Sequence, residues 1–382
     1  MSAPVHRGLL RDSVRSFASR HRDFARLRAA RRSPAETGPE VMRGFADLGW
    51  LGILVPEEHD GLGLGFAEMA IVLEELGGAL LAGPLAAHAF CARVIGLCGN
   101  DALRRSLLPA LVAGESIPCL AWQEAHGGID PQRTGCRAKS VPGGRVVLEG
   151  EKRFVAGAVG AGGYLVTARG EAGAGIYWVE AGTEGIETSI EWRVDGTPST
   201  CLRLHDVVVG RDAVVADGDQ ADAVMARAID EAAVLVSAEM LGVMKAALAM
   251  SLEYLRVRKQ FDRPLGSFQS LQHRAADLYI QQELSQAVVS EAVEALDSGT
   301  DGEGRTFVTS RAKHRTSLAG LRITREAIQM HGALGMTDEY DLGLYVKRAL
   351  VLSASLGNAD LHLRRYAGLE RDRLDNATGR PS

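Results

Sequence analysis

The feature that most constrains the fold is a helix break within residues 255–276, LRVRKQFDRPLGSFQSLQHRAA. A long helical pattern of apolar residues leads into this stretch, and a second one leaves it. Pro264 has no backbone N–H, and Gly266 relaxes the chain, so the first helix must stop before the second begins. The stretch therefore predicts two long helices joined by a short connection.

Cationic and amide side chains surround this break. Because arginine presents a fixed fork of donors, such a junction suits a phosphate ester. Basic residues are also common at helix C-termini, so a solvated helix end with an ordinary turn accounts for the same residues. Chemistry alone favours the second interpretation. The residues concerned are Arg256, Arg258, Lys259, Gln260, Gln269, Gln272 and His273.

Length and composition narrow the class of protein. The chain has 382 residues, enough for two or three domains with a large core. A net charge of −5 gives no electrostatic case for nucleic acid. No run of about 18 apolar residues occurs, so no transmembrane helix is expected. Five dispersed cysteines without CxxC spacing predict reduced thiols in a cytoplasmic protein and no metal site.

Basic residues cluster between Arg15 and Arg32. A transit peptide is one interpretation of this cluster. The acidic residues Asp12 and Asp23 favour the other, an N-terminal helix with a solvated basic face.

The pattern of apolar residues changes twice along the chain. Helical spacing runs through residues 1–117 and predicts helices over 41–48, 69–76 and 102–111. Short β-type runs bounded by Gly, Pro and Asp fill 118–221. Helical spacing returns in 222–382, with helices predicted over 231–258, 268–296, 305–330 and 342–368 and a frayed tail beyond about residue 372. These three segments predict three domains in a fold that is mainly α with a central β-domain. No GxGxxG motif opens a helix after a strand, so a Rossmann site is not expected. The predicted strands include 146–148, 164–167, 176–179 and 201–209.

Two motifs resemble the FAD-dependent acyl-CoA dehydrogenase family. The first is RKQF, then a proline, FQxxQH and AAD; the second is AIQMHGALGMTDEYDLGLYVKR, residues 327–348. The segment GFADLGWLGILVPEEHDGLGLG, residues 44–65, also resembles the family's N-terminal domain. The resemblance implies an N-terminal helical domain, a middle β-barrel or sandwich, and a C-terminal four-helix bundle.

In this family, FAD lies between two subunits, and both motifs reach it. The resemblance therefore implies FAD as the cofactor and a set of residues that contact it. One departure is Ala333, which stands where the family usually has a second glycine. The implied cofactor residues are Arg258, Gln260, Phe261, Gln269, Gln329, Gly332 and Gly335.

The family's catalytic base is missing from both of its usual positions. Most members carry a Glu followed by Gly after the second motif; here Gly357 is kept, but Leu356 cannot take a proton. A minority carry the base on the helix before the first motif, where this chain has Ala232 and Ala233. Glu239, seven residues after Ala232 on nearly the same helix face, is the remaining candidate base. Alternatively, it is a buried carboxylate paired with another helix.

The parts that would face the chain's own flavin also depart from the family. The family's loop reads Thr-Glu-Pro and then Gly-Ser, whereas residues 121–128 read AWQEAHGG. The family's Trp-Ile-Thr or Trp-Ile-Ser is Phe154-Val155-Ala156 here, so the hydroxyl near flavin N5 is absent. Compared with the family's motifs, the residues that would reach a neighbour's FAD are present in this chain. The residues that would serve the chain's own FAD are replaced. This resembles the non-catalytic, small chain of heteromeric acyl-CoA dehydrogenases, as found in steroid side-chain and dicarboxylate degradation.

Three functional hypotheses follow from this pattern. The first is a subunit of a heteromeric, α2β2 FAD-dependent acyl-CoA dehydrogenase that oxidises a CoA thioester to the 2,3-enoyl-CoA. The second is a self-sufficient homotetramer with Glu239 as a relocated base, and the third is a flavin-free scaffold subunit. The resemblance also implies an acyl-CoA thioester and an electron-transfer flavoprotein as partners.

Overall fold

A computed structural model describes residues 3–30, 39–115, 117–157 and 160–378. Contacts between Cα atoms divide the chain into two compact units. The helical unit comprises Met1–Phe24, Phe66–Ala82 and Ala233–Ser382, and the sheet unit comprises Ala25–Gly65 and Gly83–Ala232. The division into three domains at 117 and 221 stays a prediction.

Helices supply most of the regular structure, and short 3₁₀ turns connect some of them. The predicted helices 69–76 and 102–111 are confirmed within the fourth and sixth helices, and the helix predicted over 41–48 is confirmed as the third helix, which ends one residue earlier at Asp47. In chain order the helices are α1 (Ala3–His21), α2 (Phe24–Ala30), α3 (Pro39–Asp47), α4 (Phe66–Gly78), α5 (Gly83–Leu97), α6 (Asp101–Val112), α7 (Gly218–Val257), α8 (Gln269–Asp297), α9 (Gly302–His331), α10 (Ala333–Met336), α11 (Leu342–Ala354) and α12 (Ala359–Thr378).

Eight strands form one sheet in the sheet unit, and two more form a hairpin in the helical unit. The sheet order is β6-β7-β3-β2-β4-β5-β8, with β1 parallel beside β4. The strands are β1 (Pro118–Ala121), β2 (Arg137–Val141), β3 (Arg145–Ala156), β4 (Gly163–Gly170), β5 (Gly173–Glu180), β6 (Ile186–Trp192), β7 (Pro198–Val209), β8 (Val214–Asp217), β9 (Lys259–Gln260) and β10 (Arg263–Pro264).

The four predicted strands are confirmed within β3, β4, β5 and β7. Strand β6 was not predicted because it is an edge strand whose residues are exposed or half-buried, so it lacks an alternating apolar face. The sheet covers a core of apolar side chains that includes Leu148, Val166 and Leu202. The fold is therefore mainly α with a central sheet, as predicted.

Helix α7 is the longest helix, with 40 residues, and its apolar composition reflects its burial. It is the one helix in the described part of the chain that is long and apolar enough to cross a membrane. However, 78% of its most apolar window is buried inside the protein. In the helical unit it crosses α4 at backbone contact, because a Cβ at Gly242 would lie 1.9 Å from Glu74 O.

Several predicted boundaries were wrong. The helix predicted over 342–368 is two helices, because Leu356 (φ 56°) and Gly357 (φ 95°) interrupt it. α7 begins at Gly218, ahead of the predicted start at 231, and α12 continues to Thr378 although a frayed tail was predicted from about 372. The remainder of that tail and the last residues of the basic cluster lie outside the described residues.

Candidate functional site

The predicted helix break forms a two-stranded hairpin between α7 and α8. β9 pairs antiparallel with β10, and the turn contains Phe261 and Asp262. Both turn residues have positive φ, 53° and 64°, a conformation that residues other than glycine adopt uncommonly. Arg258 closes the base of the hairpin, since its carbonyl oxygen accepts a hydrogen bond from the N–H of Leu265 at 2.8 Å.

Four of the predicted cofactor residues lie on this hairpin or at the start of α8, and all four are exposed. Phe261 is 87% exposed, an unusual degree for an aromatic side chain. The side chains of Arg258 and Gln269 make no hydrogen bond or ion pair within the described part of the chain. Their donors are therefore available to a ligand or to another chain. The four residues are Arg258, Gln260, Phe261 and Gln269.

The other predicted cofactor residues lie where α9 ends. Gln329 is exposed in the last turn of this helix. Gly332 has φ 61° and ψ −137°, which residues with a side chain rarely adopt. A Cβ at Gly332 would meet no atom within 4 Å, so the backbone there is open to a ligand. Gly335 is buried, and a Cβ there would lie 3.0 Å from Ile328 O.

Two contacts bring the motifs together at one end of the helical unit. The rings of Tyr254 and His331 stack with centroids 4.3 Å apart, and the Tyr254 hydroxyl donates to His331 O at 3.4 Å. Arg274 of α8 forms an ion pair with Glu326 of α9 at 3.4 Å. Tyr254 lies one helical turn before Arg258 of the first motif, and His331 directly precedes the exposed Gly332 of the second motif.

Burial keeps His331 neutral at this junction. Its Nδ1 lies 2.7 Å from Ala327 O, so Nδ1 carries the proton and donates it. Its Nε2 then accepts a hydrogen bond from the Tyr340 hydroxyl at 3.2 Å. Desolvation lowers the pKa of His331, and the bond to Ala327 O opposes that shift. Sequence reasoning missed both residues: His331 lies inside the second motif, but Tyr254 lies four residues before the first.

Glu239 is buried in the helical unit. It is 1% exposed, and Arg348 Nε and Nη2 lie 2.7 Å and 2.6 Å from its Oε1. Its backbone is also packed closely, because a Cβ at Gly77 would lie 2.4 Å from Glu239 O. The carboxylate therefore belongs to a buried ion pair at a tight helix contact, the arrangement that the alternative interpretation describes. Its role as a base stays a prediction.

The Leu356 position lies in the break between α11 and α12. Leu356 is 8% exposed, and its carbonyl oxygen accepts a hydrogen bond from His362 Nε2 at 2.8 Å. Desolvation lowers the pKa of His362 to about 3, so this ring is neutral. Lys313 Nζ donates to Leu352 O and Ser353 O, at 3.0 Å and 3.3 Å, at the end of α11. Two buried polar side chains, those of His362 and Lys313, therefore fix the backbone at this break. The residue at position 356 is apolar.

The second base position, at Ala232, is also buried and apolar. In the sheet unit, the neighbouring Glu231 is held by three donors. Arg93 Nε and Nη2 bind its two carboxylate oxygens at 2.7 Å and 3.0 Å, and Arg227 Nε binds at 2.9 Å. Glu231 is therefore occupied as a structural ion-pair residue of the sheet unit.

The strand that lacks the N5 hydroxyl carries a bulge. The register of β3 against β7 shifts between Lys152 and Val155, and Phe154 within the shift has φ 60°. Arg193 Nη2 donates to Phe154 O at 3.2 Å. The Phe154 ring is 40% exposed, so the strand presents an aromatic surface beside Ala156.

Glu124 anchors the loop that departs from Thr-Glu-Pro. It accepts hydrogen bonds from Lys152 Nζ at 2.7 Å, Thr134 Oγ1 at 2.8 Å and the N–H of Cys136 at 3.0 Å. Burial raises the pKa of Glu124, but the bonds from Lys152 and from backbone N–H groups outweigh it and lower the pKa to about 2. Glu124 is therefore a charged anchor of the loop.

Comparison with known proteins identifies this arrangement. Residues 6–115 match the acyl-CoA dehydrogenase N-terminal domain, and residues 222–368 match the acyl-CoA dehydrogenase C-terminal domain. The acyl-CoA dehydrogenase IpdE2 of Mycolicibacterium smegmatis is 30% identical over 365 residues, which cover 94% of this chain and 97% of that protein. The chain belongs to the acyl-CoA dehydrogenase family. Members of this family are FAD-dependent oxidoreductases.

Two solved structures of acyl-CoA dehydrogenases are also similar. A variant of the Tcur3481–Tcur3483 steroid ACAD matches with a TM-score of 0.87 and 29% identity, covering 98% of this chain and 99% of that one. The ChsE4–ChsE5 complex from Mycobacterium tuberculosis matches with a TM-score of 0.85 and 25% identity, covering 94% and 96%. The second of these structures is a complex of two named chains.

The exposed residues at the two motifs fit a dinucleotide such as FAD. Arg258 offers charge-assisted donors for a pyrophosphate, and Gln269 and Gln329 offer amide donors and acceptors. The open backbone at Gly332 allows a ligand to approach closely. When bound, FAD supplies the hydride acceptor of the family's reaction.

Proposed function

We propose that this chain is a subunit of a heteromeric, α2β2 FAD-dependent acyl-CoA dehydrogenase that oxidises a CoA thioester to the 2,3-enoyl-CoA. In this assembly it helps to bind FAD in a partner chain, and the partner supplies the catalytic base. The proposal rests on one contrast: Arg258, Gln269 and Gln329 are exposed with unused donors, while Leu356 and Ala232 occupy the base positions.

The reaction needs a carboxylate that removes the α-proton while a hydride leaves the β-carbon. Such a base must lie within hydrogen-bond reach of the substrate, in a site from which water is excluded. An alkyl side chain at position 356 excludes water but accepts no proton. Arg258, Gln260, Gln269 and Gln329 would orient the shared cofactor, with Phe261 packing against it and Gly332 and Gly335 shaping the backbone beside it.

Exposed apolar side chains beside the two motifs support a partner at this end of the helical unit. Phe261 is 87% exposed, Met336 78%, Val257 68% and Leu334 40%. Large apolar groups clustered near unused polar donors are typical of a protein interface rather than of a free surface. A second acyl-CoA dehydrogenase-like chain would cover them while it shares the cofactor.

A self-sufficient homotetramer with Glu239 as its base is the alternative enzyme. The ion pair with Arg348 weighs against it, because the buried carboxylate is already engaged by the guanidinium of another helix. A flavin-free scaffold remains the third hypothesis. We further propose an acyl-CoA thioester as the substrate, an electron-transfer flavoprotein as the electron acceptor and a cytoplasmic location, the last because all five cysteines are free and buried.

Flavin stoichiometry tests the proposal. The chain is purified alone and after co-expression with an acyl-CoA dehydrogenase-like chain, and bound FAD per protomer is measured by absorbance. Flavin that appears only on co-expression supports the heteromer. Tightly bound FAD in the chain alone would favour the self-sufficient homotetramer over the heteromer. No flavin in either preparation would favour the flavin-free scaffold.

A further inference from the structure

A cavity of about 390 Å³ lies among α1, α4 and α7 in the helical unit. Three of its lining residues, Ala18, Gly78 and Ala246, are too small to fill it. The volume exceeds that of a single ordered water about tenfold. The cavity therefore has room for a small organic molecule.

The charged residues that line the cavity do not balance. Four are cations and two are carboxylates, which leaves a net charge of +2. Clustered charge of one sign in a concave site attracts ions of the opposite sign. The cations are Arg11, Arg15, Arg22 and Lys245, and the carboxylates are Glu74 and Glu75.

Both carboxylates are already engaged by the chain. Glu75 accepts from Arg15 at 2.9 Å and 3.1 Å and lies 3.0 Å from Arg11 Nε. Glu74 Oε1 accepts from Lys245 Nζ at 2.5 Å. The Glu75 pairs join α1 to α4, and the Glu74 pair joins α7 to α4. They leave no carboxylate for the remaining cation.

That remaining cation is Arg22, directly after the end of α1. Its guanidinium carbon lies 5.3 Å from the ring centroid of Phe24, and it makes no ion pair within the described part of the chain. A guanidinium carries five N–H donors in a rigid fork that matches phosphate and carboxylate groups. The cavity thus has an unpaired anion-recognising group at its edge.

We propose that this cavity binds a small dianion, a phosphate or a dicarboxylate, through Arg22, Arg15 and Lys245. A charge of −2 neutralises the excess, and the small residues of the lining accommodate a short carbon skeleton. Bound there, the anion bridges the end of α1 to α7 and stabilises the docking of the N-terminal helix. This site is separate from the cofactor motifs and independent of the proposed heteromer.

The test measures binding of inorganic phosphate and of succinate to the full chain by calorimetry, with chloride added to constant ionic strength. Arg22→Gln should weaken binding about tenfold or more, because it removes a charge-assisted contact and breaks no ion pair. Ser19→Glu places a carboxylate in the cavity lining and should abolish binding; circular dichroism confirms that this variant is folded.

Two matched variants make the result specific. Arg20 lies on the same helix, donates to Ser16 O and does not line the cavity, so Arg20→Gln should bind like the wild type. Arg258→Ala distinguishes anion binding in this cavity from anion binding at the exposed hairpin, which also offers donors to a phosphate.

Binding of phosphate alone, of succinate alone or of both supports the proposal and defines the anion. The proposal is overturned if neither anion binds more tightly than chloride. It is also overturned if Arg22→Gln and Ser19→Glu bind like the wild type, or if only Arg258→Ala abolishes binding.

Discussion

Polar groups in two regions of the helical unit have different roles. At the hairpin and the end of α9, Arg258, Gln269 and Gln329 are exposed, and their side chains make no hydrogen bond or ion pair within the described part of the chain. In the interior, the polar groups of Glu239 and Lys313 are buried and are engaged by other parts of the same chain. The first region resembles a binding surface, and the second resembles a folding core that contains charges.

The contrast separates two properties that a typical enzyme of this family combines. Cofactor binding at a shared surface depends on exposed donors, whereas proton abstraction depends on a buried carboxylate with a raised pKa. A chain can keep cofactor binding and lose proton abstraction when another chain supplies the catalytic base. The following four experiments test whether the two regions are divided in this way, in order of decreasing expected effect.

The largest expected effect is on turnover. The isolated chain supplied with FAD should oxidise acyl-CoAs at least ~10²-fold more slowly than its complex, because a general base is typically worth ~10²–10⁴ in rate. Turnover is followed with an artificial electron acceptor and a panel of acyl-CoAs. Robust activity of the isolated wild type would show that the catalytic region is intact.

Removing the buried carboxylate should cost stability rather than catalysis. Glu239→Ala removes one member of a buried ion pair and should lower the free energy of unfolding by ~3–5 kcal/mol, measured by urea denaturation. Replacing both residues with Met should recover most of that loss. In the complex, Glu239→Gln should keep its turnover; loss of turnover in a folded Glu239→Gln complex would identify Glu239 as the base.

The buried histidine behind Leu356 should make the fold sensitive to acid. The folded pKa of His362 is about 3, below the value of about 6.5 for an unfolded histidine. Between these values, only the unfolded chain binds the proton, so stability falls as the pH decreases from 6.5. By pH 4 the loss from this residue should reach up to ~3 kcal/mol.

His362→Gln is the matched variant, because its amide can still donate to Leu356 O. Its unfolding free energy should decline less steeply than that of the wild type between pH 6.5 and 4. Buried His88, whose pKa is lowered to about 4 by desolvation, contributes equally to both proteins. Identical pH profiles would show that His362 is protonated as readily in the folded chain as in the unfolded one.

The smallest expected effect concerns the exposed region. Arg258→Ala should weaken FAD retention in the assembled complex by ~1.5–3 kcal/mol, measured as the dissociation constant of FAD after stripping and reconstitution. Arg256→Ala is the control, because Arg256 lies 3.6 Å from Glu253 on the same helix and is outside the predicted cofactor set. Equal FAD affinity in Arg258→Ala and the wild type would show that Arg258 of the hairpin does not contribute to FAD binding.

The sequence predicted these regions unequally. The break at Pro264 and Gly266 was visible because both residues act locally on the backbone. The hairpin turn was not, since Phe261 and Asp262 have positive φ without the Asn-Gly or Asp-Gly pattern that usually indicates such a turn. The identity of a site residue was thus easier to predict than the shape that presents it.

Contacts between distant residues could not be predicted at all. Arg348 is 109 residues from Glu239, and helical periodicity gives no information about which helices will pack together. The same applies to His362 and Lys313, which fix the break at Leu356. The motif resemblance predicted that the base is missing from its usual positions, but the contacts around those positions required tertiary structure.

The discontinuity of the helical unit also has a consequence for biosynthesis. Helices α1 and α4 precede Gly83–Ala232, about 150 residues that belong to the other unit. At ~5–20 residues per second, a ribosome needs about 8–30 s to synthesise that segment before the remainder of α7 can emerge. During this interval Gly77 and Gly78 have no helix to cross, and the arginines of α1 can pair only with α4. Nascent α1 and α4 should therefore be the part of the chain most dependent on chaperones, and a pause in translation after Ala82 should lower the yield of folded protein.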